Sequence, residues 1–406
     1  MKTVQHNASF LRKINIFLIS IVVFFVPFNL KIIAPAIALF TVSSLVLILK
    51  EKLAFQLDRN HLLLFAFYLF LVVGVFWSNN FSAAVFDLEV KMSLFIFPIL
   101  FSFIRYSKNQ LIIIFKVFIF SVLLVSVVLL QSAIGRYWQS GSVDTLFYVN
   151  LSPRVHPSYL SLYTVTGLGF LFLGIKEKQF RNSWQKVVAV TLSVYFFVFN
   201  ILLLSKIGII ASVLLVLIFI GNYMIKTKKV GLGIFVLAVM YTFMYMSFQK
   251  SPYLKQRVNE FTVGLTASEG KSSSGSTGIR LKIWKNAVAL IKEKPFLGYG
   301  TGDVKDVLVK SYHQSGYTEA YKKKLNAHNQ FLQVSIALGI FGLLLFLSIF
   351  GFYIYDSILS ENLNALLFII IAIIFMIPES VLENQAGTIF FGLFFALLNQ
   401  KSTPTQ

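Results

Sequence analysis

Basic side chains stand beside predicted apolar helices, and their types suit phosphate binding and proton transfer. Arg280 opens a basic amphipathic segment, Lys206 lies in a tight turn between two apolar runs, and Arg154 precedes another run. The planar guanidinium of arginine matches the geometry of a phosphate group. His328 comes directly before an apolar run, where a helix N-terminus disfavours an imidazolium and attracts phosphate oxygens. We therefore predict a site for a phosphate-bearing ligand, with His328 as a neutral imidazole that accepts a proton.

Carboxylates near the ends of apolar runs are candidates for holding these groups. Glu379 and Glu383 flank the turn between the last two runs, where we expect them to orient the histidine or the arginine. Asp87 and Lys91 are four residues apart at the start of the predicted fourth run, so they are expected to pair across one helical turn. Ionisable groups are costly at membrane helices, so each of them is treated as a functional candidate.

A structural role is the alternative for each basic residue. His328 can cap or hydrogen-bond the helix that follows it. Lys206 can extend its amine to the membrane surface. The sequence Arg154-Val-His156-Pro157 is typical of an ordinary helix entry with proline in the first turn.

Patterns for a cofactor or a metal are missing from the sequence. The stretch Gly298-Tyr-Gly-Thr-Gly302 lacks the preceding strand and the lysine of a nucleotide-binding loop. No spacing of His, Asp and Glu is typical of a metal site, and no Gly-x-Ser-x-Gly elbow occurs. We therefore expect no cofactor, no metal and no nucleic-acid partner.

The elements that must position these side chains are membrane helices. The chain is 57% hydrophobic and 13% charged, and its repeated apolar runs match a bilayer core of about 30 Å, which about 20 helical residues span. The sequence predicts an all-α membrane protein with about 12 transmembrane helices. The predicted spans are Ile14–Leu30, Ile32–Leu49, Leu62–Trp77, Phe86–Ile104, Leu111–Ile134, Pro157–Ile175, Val187–Leu204, Ile207–Met224, Gly231–Phe248, Asn329–Tyr355, Leu363–Ile377 and Ala386–Leu398.

Lysine and arginine are distributed unevenly between the two sides of these spans. With the N-terminus placed inside, the inner segments hold 16 of them and the short outer connections four, which favours cytoplasmic termini. The domains are then residues 1–248 with nine spans, an outer loop over 249–328, and residues 329–406 with three spans and a short cytoplasmic tail. The loop carries 14 basic against six acidic residues, and an anionic substrate or lipid headgroup would explain that excess. A generally basic solvated face is the alternative.

The outer loop contains its own predicted elements. Lys271–Gly278 reads as a flexible Ser/Gly linker. The apolar residues from Ile283 to Ile291 recur at helical spacing among basic side chains, which predicts an amphipathic helix that Pro295 and the following glycines end. A second short helix is predicted over Asp303–Tyr312.

The ordered set of motifs in residues 203–343 resembles the O-antigen ligase/polymerase family of bacterial inner-membrane glycosyltransferases with the multi-spanning C-type architecture. Each motif alone is weak, whereas their order and the position of the outer loop are fairly specific. The motifs are Ser205-Lys206-x-Gly208, Arg280-x-x-x-Trp284, Pro295-x-x-Gly298-x-Gly300-x-Gly302, His328-Asn329-x-x-Leu332 and Gly339-x-x-Gly342.

The resemblance implies a glycan donor on undecaprenyl diphosphate, which is used outside the inner membrane without a metal or a nucleotide. The acceptor is a sugar of lipid A-core in ligases and another lipid-linked repeat unit in polymerases, and the displacement is inverting. By match of motifs, His328 would be the base and Arg280 would hold the diphosphate. Lys206 stands where the family usually has arginine, so the charge is kept but the bidentate geometry is lost. Further diphosphate contacts are assigned to Lys206 and Arg154, and supporting roles to His156, Trp284, Asn329, Glu379 and Glu383.

Three functions remain open at this point besides the ligase. A polymerase would use the same donor and the same motifs. A transporter of lipid-linked glycans should show repeated halves and interrupted helices that meet at the membrane midplane, and no such repeat is visible here. A non-catalytic subunit of a polysaccharide assembly system is the third alternative.

Overall fold

The computed structural model describes residues 10–28, 31–56, 58–180, 182–250, 255, 256, 259 and 276–400. Every regular element in these ranges is helical, so the all-α prediction is confirmed. The helices are α1 (Phe10–Phe25), α2 (Ile33–Glu51), α3 (Arg59–Val73), α4 (Phe81–Lys91), α5 (Ser93–Phe103), α6 (Lys108–Ser140), α7 (Tyr148–Leu151), α8 (Pro157–Lys176), α9 (Ser183–Leu202), α10 (Lys206–Thr227), α11 (Val230–Lys250), α12 (Ser276–Glu293), α13 (Val304–Gln314), α14 (Thr318–Lys322), α15 (Gln330–Leu359), α16 (Leu363–Met376) and α17 (Gln385–Leu398).

Long apolar helices identify the chain as a multi-pass membrane protein. In the described part of the chain, eight helical segments are long and apolar enough to cross a membrane, and α16 and α17 are shorter apolar helices. Helix α11 also lies where the ninth span is predicted. The spans are Phe10–Phe28, Ile33–Glu51, Arg59–Trp77, Lys108–Ser140, Pro157–Lys176, Ser183–Leu202, Lys206–Thr227 and Gln330–Leu359.

The predicted fourth span, Phe86–Ile104, is not one continuous helix. It consists of α4 and α5, with 11 residues each, so each helix is about 16 Å long and too short to span a bilayer alone. The N–H of Met92 donates to the carbonyl of Glu89 at 3.2 Å, and this tighter turn separates the charged helix from the apolar one. Within α4, Lys91 pairs with Asp87 as predicted.

The predicted tenth span, Asn329–Tyr355, is also interrupted. Gly339 in α15 has φ 62° and ψ −156°, which is not helical. The ring of Phe331 lies 5.7 Å from that of Phe346, although 15 residues of straight helix would separate them by about 22 Å. The segment before Gly339 therefore folds back against the segment after it.

The glycine-rich loop over residues 295–302 packs against the break in α15 and donates hydrogen bonds to it. The N–H of Tyr299 donates to the carbonyl of Ile336 at 2.8 Å, and the N–H of Gly300 donates to that of Ala337 at 2.9 Å. A broken helix leaves such carbonyls without helical partners, and burial without a partner would cost free energy. The loop thus stabilises the fold-back, which sets where the start of α15 lies.

The described part of residues 249–328 contains helices α12, α13 and α14. Helix α12 confirms the predicted amphipathic helix, since Ile283, Ala287 and Leu290 are buried. Helix α13 confirms the second predicted helix. The predicted linker Lys271–Gly278 lies outside the described residues at 271–275, but residues 276–278 form the first turn of α12. The linker prediction is wrong for these three, because packing of that turn overrides their Ser/Gly composition.

Candidate active site

Glu379 holds a basic residue with each of its two carboxylate oxygens. Its Oε1 accepts a hydrogen bond from a terminal guanidinium nitrogen of Arg280 at 2.6 Å and another from Ser158 Oγ at 2.9 Å. Its Oε2 lies 3.3 Å from Nδ1 of His328. The carboxylate is buried in the turn between α16 and α17, whereas the side chains of Arg280 and His328 are 23% and 24% exposed. One buried carboxylate therefore positions two accessible groups.

The charges around Glu379 keep it ionised. Burial alone raises the pKa of Glu379, but the hydrogen bond from His328 and the charges of Arg280, His328 and His156 outweigh it, and the pKa falls to about 2. An ionised carboxylate only accepts hydrogen bonds. The Nδ1 atom of His328 must therefore carry a proton, and in the neutral form of the ring, which is the form that can act as a base, Nε2 is the basic nitrogen.

The backbone around His328 is fixed by three hydrogen-bond partners, Asn326, Trp284 and Ser380. Its φ of 44° lies in the left-handed region, its N–H donates to Asn326 Oδ1 at 3.0 Å, and its carbonyl accepts from Nε1 of Trp284 at 3.2 Å. The next residue, Asn329, caps the N-terminus of α15, and its N–H donates to Ser380 Oγ at 3.2 Å. These contacts fasten the histidine to α12 and to the turn that carries Glu379.

A second basic side chain lies beside the first turn of α12. Ser205 caps the N-terminus of α10 with its side chain, and Lys206 is the first residue of that helix. The Nζ atom of Lys206 donates to Thr277 Oγ1 at 2.8 Å, and Thr277 precedes Arg280 by less than one helical turn. The structure thus brings Lys206 and Arg280 to the same end of α12.

The remaining predicted residues divide into two groups. His156 caps α8 by accepting from the N–H of Ser158 at 3.3 Å, and Ser158 itself binds Glu379. Arg154 is exposed, and within the described ranges no hydrogen bond or ion pair joins it to Glu379, Arg280 or His328. Glu383 pairs instead with Lys91, at 2.9 Å. The structure therefore brings Glu379, but not Glu383, to the histidine and the arginine.

Several partners at this site were not singled out from the sequence. Ser158, Ser380, Asn326 and Thr277 each hold a predicted site residue by one hydrogen bond. Small polar residues are common in loops, and nothing in their spacing marks them. The described ranges contain no group of three or more His, Cys, Asp and Glu residues suited to hold a metal.

This geometry supplies two chemical capabilities. The His328 ring has Nδ1 directed to a carboxylate and Nε2 left to accept a proton, which is the arrangement of an oriented general base. Arg280 uses one of its five N–H donors on Glu379, so others remain for an oxyanion. Lys206 adds a second positive charge nearby. The site can bind an anion and take up a proton next to it.

Comparison with known proteins gives matches in the same region. Residues 188–347 match the family model described as O-antigen ligase. A Rickettsia felis protein named as a candidate polysaccharide ligase is 35% identical over 94 residues, which is 22% of this chain and 23% of that protein. A Rickettsia conorii protein with the same kind of name is 35% identical over 91 residues, or 22% of each chain. The aligned segments therefore span less than a quarter of these relatives.

The matched region holds Lys206, Arg280, Trp284, His328 and Asn329, whereas the carboxylate that joins two of them lies beyond its end. The resemblance predicted from the motifs is confirmed over residues 188–347, which match the O-antigen ligase family model.

Proposed function

We propose that the chain is an O-antigen ligase-like glycosyltransferase. It moves a glycan from undecaprenyl diphosphate to a hydroxyl of lipid A-core or a similar acceptor. The observation that carries this proposal is the shared carboxylate of Glu379, which holds Arg280 and His328 by opposite oxygens. Transfer from a diphosphate needs a base for the acceptor and cations for the leaving group, and these two residues offer one of each.

His328 acts as the base in this proposal. Nε2 takes the proton of the acceptor hydroxyl while the hydroxyl oxygen attacks the anomeric carbon of the donor sugar. The bond from that carbon to the diphosphate oxygen breaks, and the configuration inverts. Glu379 stabilises the imidazolium that forms and holds the ring by Nδ1. Glu379 is a positioning residue, because it acts through His328 and Arg280.

Arg280 and Lys206 take up the charge of the leaving diphosphate. Fixed cations stabilise a developing oxyanion most effectively in a site that is partly shielded from water. Arg280 offers a planar fork, and Lys206 offers a point charge in place of the arginine that is usual in this family. We assign Arg154 a peripheral diphosphate contact. Trp284 and Asn329 support the site through the backbone of His328 and the start of α15.

The orientation follows from the location of the donor. We propose that the chain lies in the bacterial inner membrane with both termini in the cytoplasm and residues 249–328 in the periplasm. In this arrangement residues 1–248 and 329–406 form the membrane scaffold, and the loop presents the site to the outer leaflet. The loop has 14 basic residues and six acidic ones, and this positive charge supports contact with an anionic donor and with membrane lipids.

The test is a deletion strain complemented with the wild-type chain, with His328→Ala, or with His313→Ala. His313 is an exposed histidine on α13 away from the site, so it serves as the matched control. We expect His328→Ala to abolish transfer at unchanged protein level and His313→Ala to restore it. Full activity of His328→Ala would overturn the mechanism.

The glycan profile of the deletion strain separates ligase from polymerase. Loss of polymer from lipid A-core with long chains accumulating on the carrier lipid identifies a ligase. Single repeat units alone, on core or carrier, identify a polymerase that uses the same donor. An unchanged profile would exclude both and would favour a transporter or an accessory subunit.

A further inference from the structure

An apolar cavity lies in the half of the bundle that is remote from the candidate active site. Its volume is about 630 Å³, and its walls come from α8, α9, α10 and α11. Helix α8 starts beside Glu379 at Ser158, and the residues of α8 that line the cavity belong to its last turns. The lining includes Phe172, Val194, Phe197, Phe219, Tyr223 and Val236.

The cavity is open at the outer surface of the helices. Val194 on α9 is 59% exposed and Phe235 on α11 is 64% exposed, and both line the cavity. The rings of Phe172 and Phe219 stack in the lining of the cavity with centroids 4.3 Å apart. The lining surface is apolar, so the opening suits a hydrocarbon chain that enters sideways from the bilayer.

Lysines gather where the helices around the cavity end. All six of these lysines are exposed, and none forms an ion pair with an acidic residue in the described part of the chain. Glu177, which lies between two of them in the sequence, accepts a hydrogen bond from Gln179 at 3.0 Å. These six residues are Lys176, Lys178, Lys186, Lys226, Lys228 and Lys229.

We propose that this cavity and its lysines form a binding site for an anionic phospholipid of the leaflet opposite the active site. The acyl chain fills the apolar cavity between α9 and α11, and the lysines at the helix ends bind the phosphate of the headgroup. Basic pockets between membrane helices bind anionic headgroups in this way. The positive-inside rule explains lysines on this side in general, but it does not place an apolar cavity beneath them.

The headgroup is tested by native mass spectrometry of the delipidated full chain with two added lipids of identical acyl chains. Phosphatidylglycerol is the anionic probe and phosphatidylethanolamine the zwitterionic one. We expect preferential binding of phosphatidylglycerol, and we expect K226Q/K228Q/K229Q to weaken it about tenfold or more. The control K50Q/K52Q/K108Q removes the same charge from exposed lysines at the ends of α2 and α6 and should leave the preference intact.

The cavity is tested by filling it. Val194→Trp should reduce binding of phosphatidylglycerol, whereas Val187→Trp should not, because Val187 is equally exposed on α9 but does not line the cavity. Equal binding of both lipids, or equal losses in the two triple variants, would overturn the proposal. Displacement of bound phosphatidylglycerol by undecaprenyl phosphate at equal concentration would also overturn it and assign the cavity to a polyprenyl chain.

Discussion

The Nδ1 atom of His328 lies 3.3 Å from the Oε2 atom of Glu379, although 51 residues separate them in the sequence. This contact fixes which ring nitrogen is basic. It also joins the start of α15 to the turn between α16 and α17, so the base is held from two sides. The same carboxylate reaches Arg280 through its other oxygen. The geometry of the base and of the anion-binding group therefore depends on one side chain.

Glu379→Gln should reduce transfer by at least about a hundredfold, because an amide no longer fixes the tautomer of His328 as a carboxylate does. The measurement is transfer by the purified chain across a range of pH, with the unfolding temperature as a readout of folding. Glu319→Gln is the control, since it breaks only an exposed pair with Lys323 on α14. A variant with an unchanged pH profile of activity would show that Glu379 does not act on the base.

The stability of the fold should fall in acid because of the same carboxylate. The pKa of Glu379 is lowered from an ordinary 4.5 to about 2, so its ionised form stabilises the native state. That contribution is complete above the ordinary pKa and is lost as the pH falls from about 4.5 towards about 2. The difference corresponds to about 3 kcal/mol at most. Thermal unfolding in detergent across this window checks it, and the Glu379→Gln variant should lack this part of the pH dependence.

Gly339→Ala should destabilise the fold-back of α15. Gly339 has φ 62° and an added Cβ would lie 2.2 Å from the carbonyl oxygen of Phe296, so the loop over residues 295–302 would have to move. We expect a loss of about 1–3 kcal/mol or more. Gly351→Ala in the same helix is the control, because nothing lies within 4 Å of its added Cβ. Thermal unfolding of both variants gives the comparison, and equal stabilities would contradict the role of this glycine.

The buried Lys91 neutralises two partly exposed carboxylates. It is 3% exposed, and it pairs with Asp87 and with Glu383, which lies four residues after Glu379. Lys91→Met would leave two partly buried acids, with side chains 19% and 17% exposed, without a cation, which should cost up to about 3–5 kcal/mol. Lys116→Met removes an exposed lysine from α6 and should have little effect. The unfolding temperatures of the two variants in detergent are the measurement to compare.

A second variant tests whether the charge of Lys91, and not its packing, stabilises this cluster. The triple variant K91M/D87N/E383Q removes all three charges and should recover most of the stability lost in Lys91→Met. If the triple variant were as unstable as the single one, packing of the lysine stem and not its charge would be responsible.

The sequence predicts the helices well because their apolar runs are long enough to define spans without tertiary information. The break between α4 and α5 and the fold-back in α15 cannot be predicted from the apolar runs. The fold-back at Gly339 depends on hydrogen bonds from Tyr299 and Gly300, which lie about forty residues away. Likewise, the break at Met92 accompanies a pairing of Lys91 with Glu383, and no local pattern indicates that partner.

The candidate site is predicted in part. His328 and Arg280 stand out by residue type, by position and by family motif, and the structure places both on one carboxylate. Sequence position gave Glu379 and Glu383 equal standing, because both flank the same turn. Only the packing of α4 against that turn distinguishes them, because it places Lys91 in an ion pair with Glu383. The choice between two nearby acids thus requires the tertiary structure.

The orientation in the membrane is testable with single cysteines, because the chain has none of its own. Lys310→Cys on α13 and Lys228→Cys between α10 and α11 both place the thiol at an exposed position. In spheroplasts, a membrane-impermeant maleimide should label Lys310→Cys at once and Lys228→Cys only after permeabilisation. The donor is used on the outer face in the proposed reaction, so the loop that carries Arg280 must be there. The reverse labelling pattern would place the site in the cytoplasm and would be incompatible with transfer from a donor in the outer leaflet.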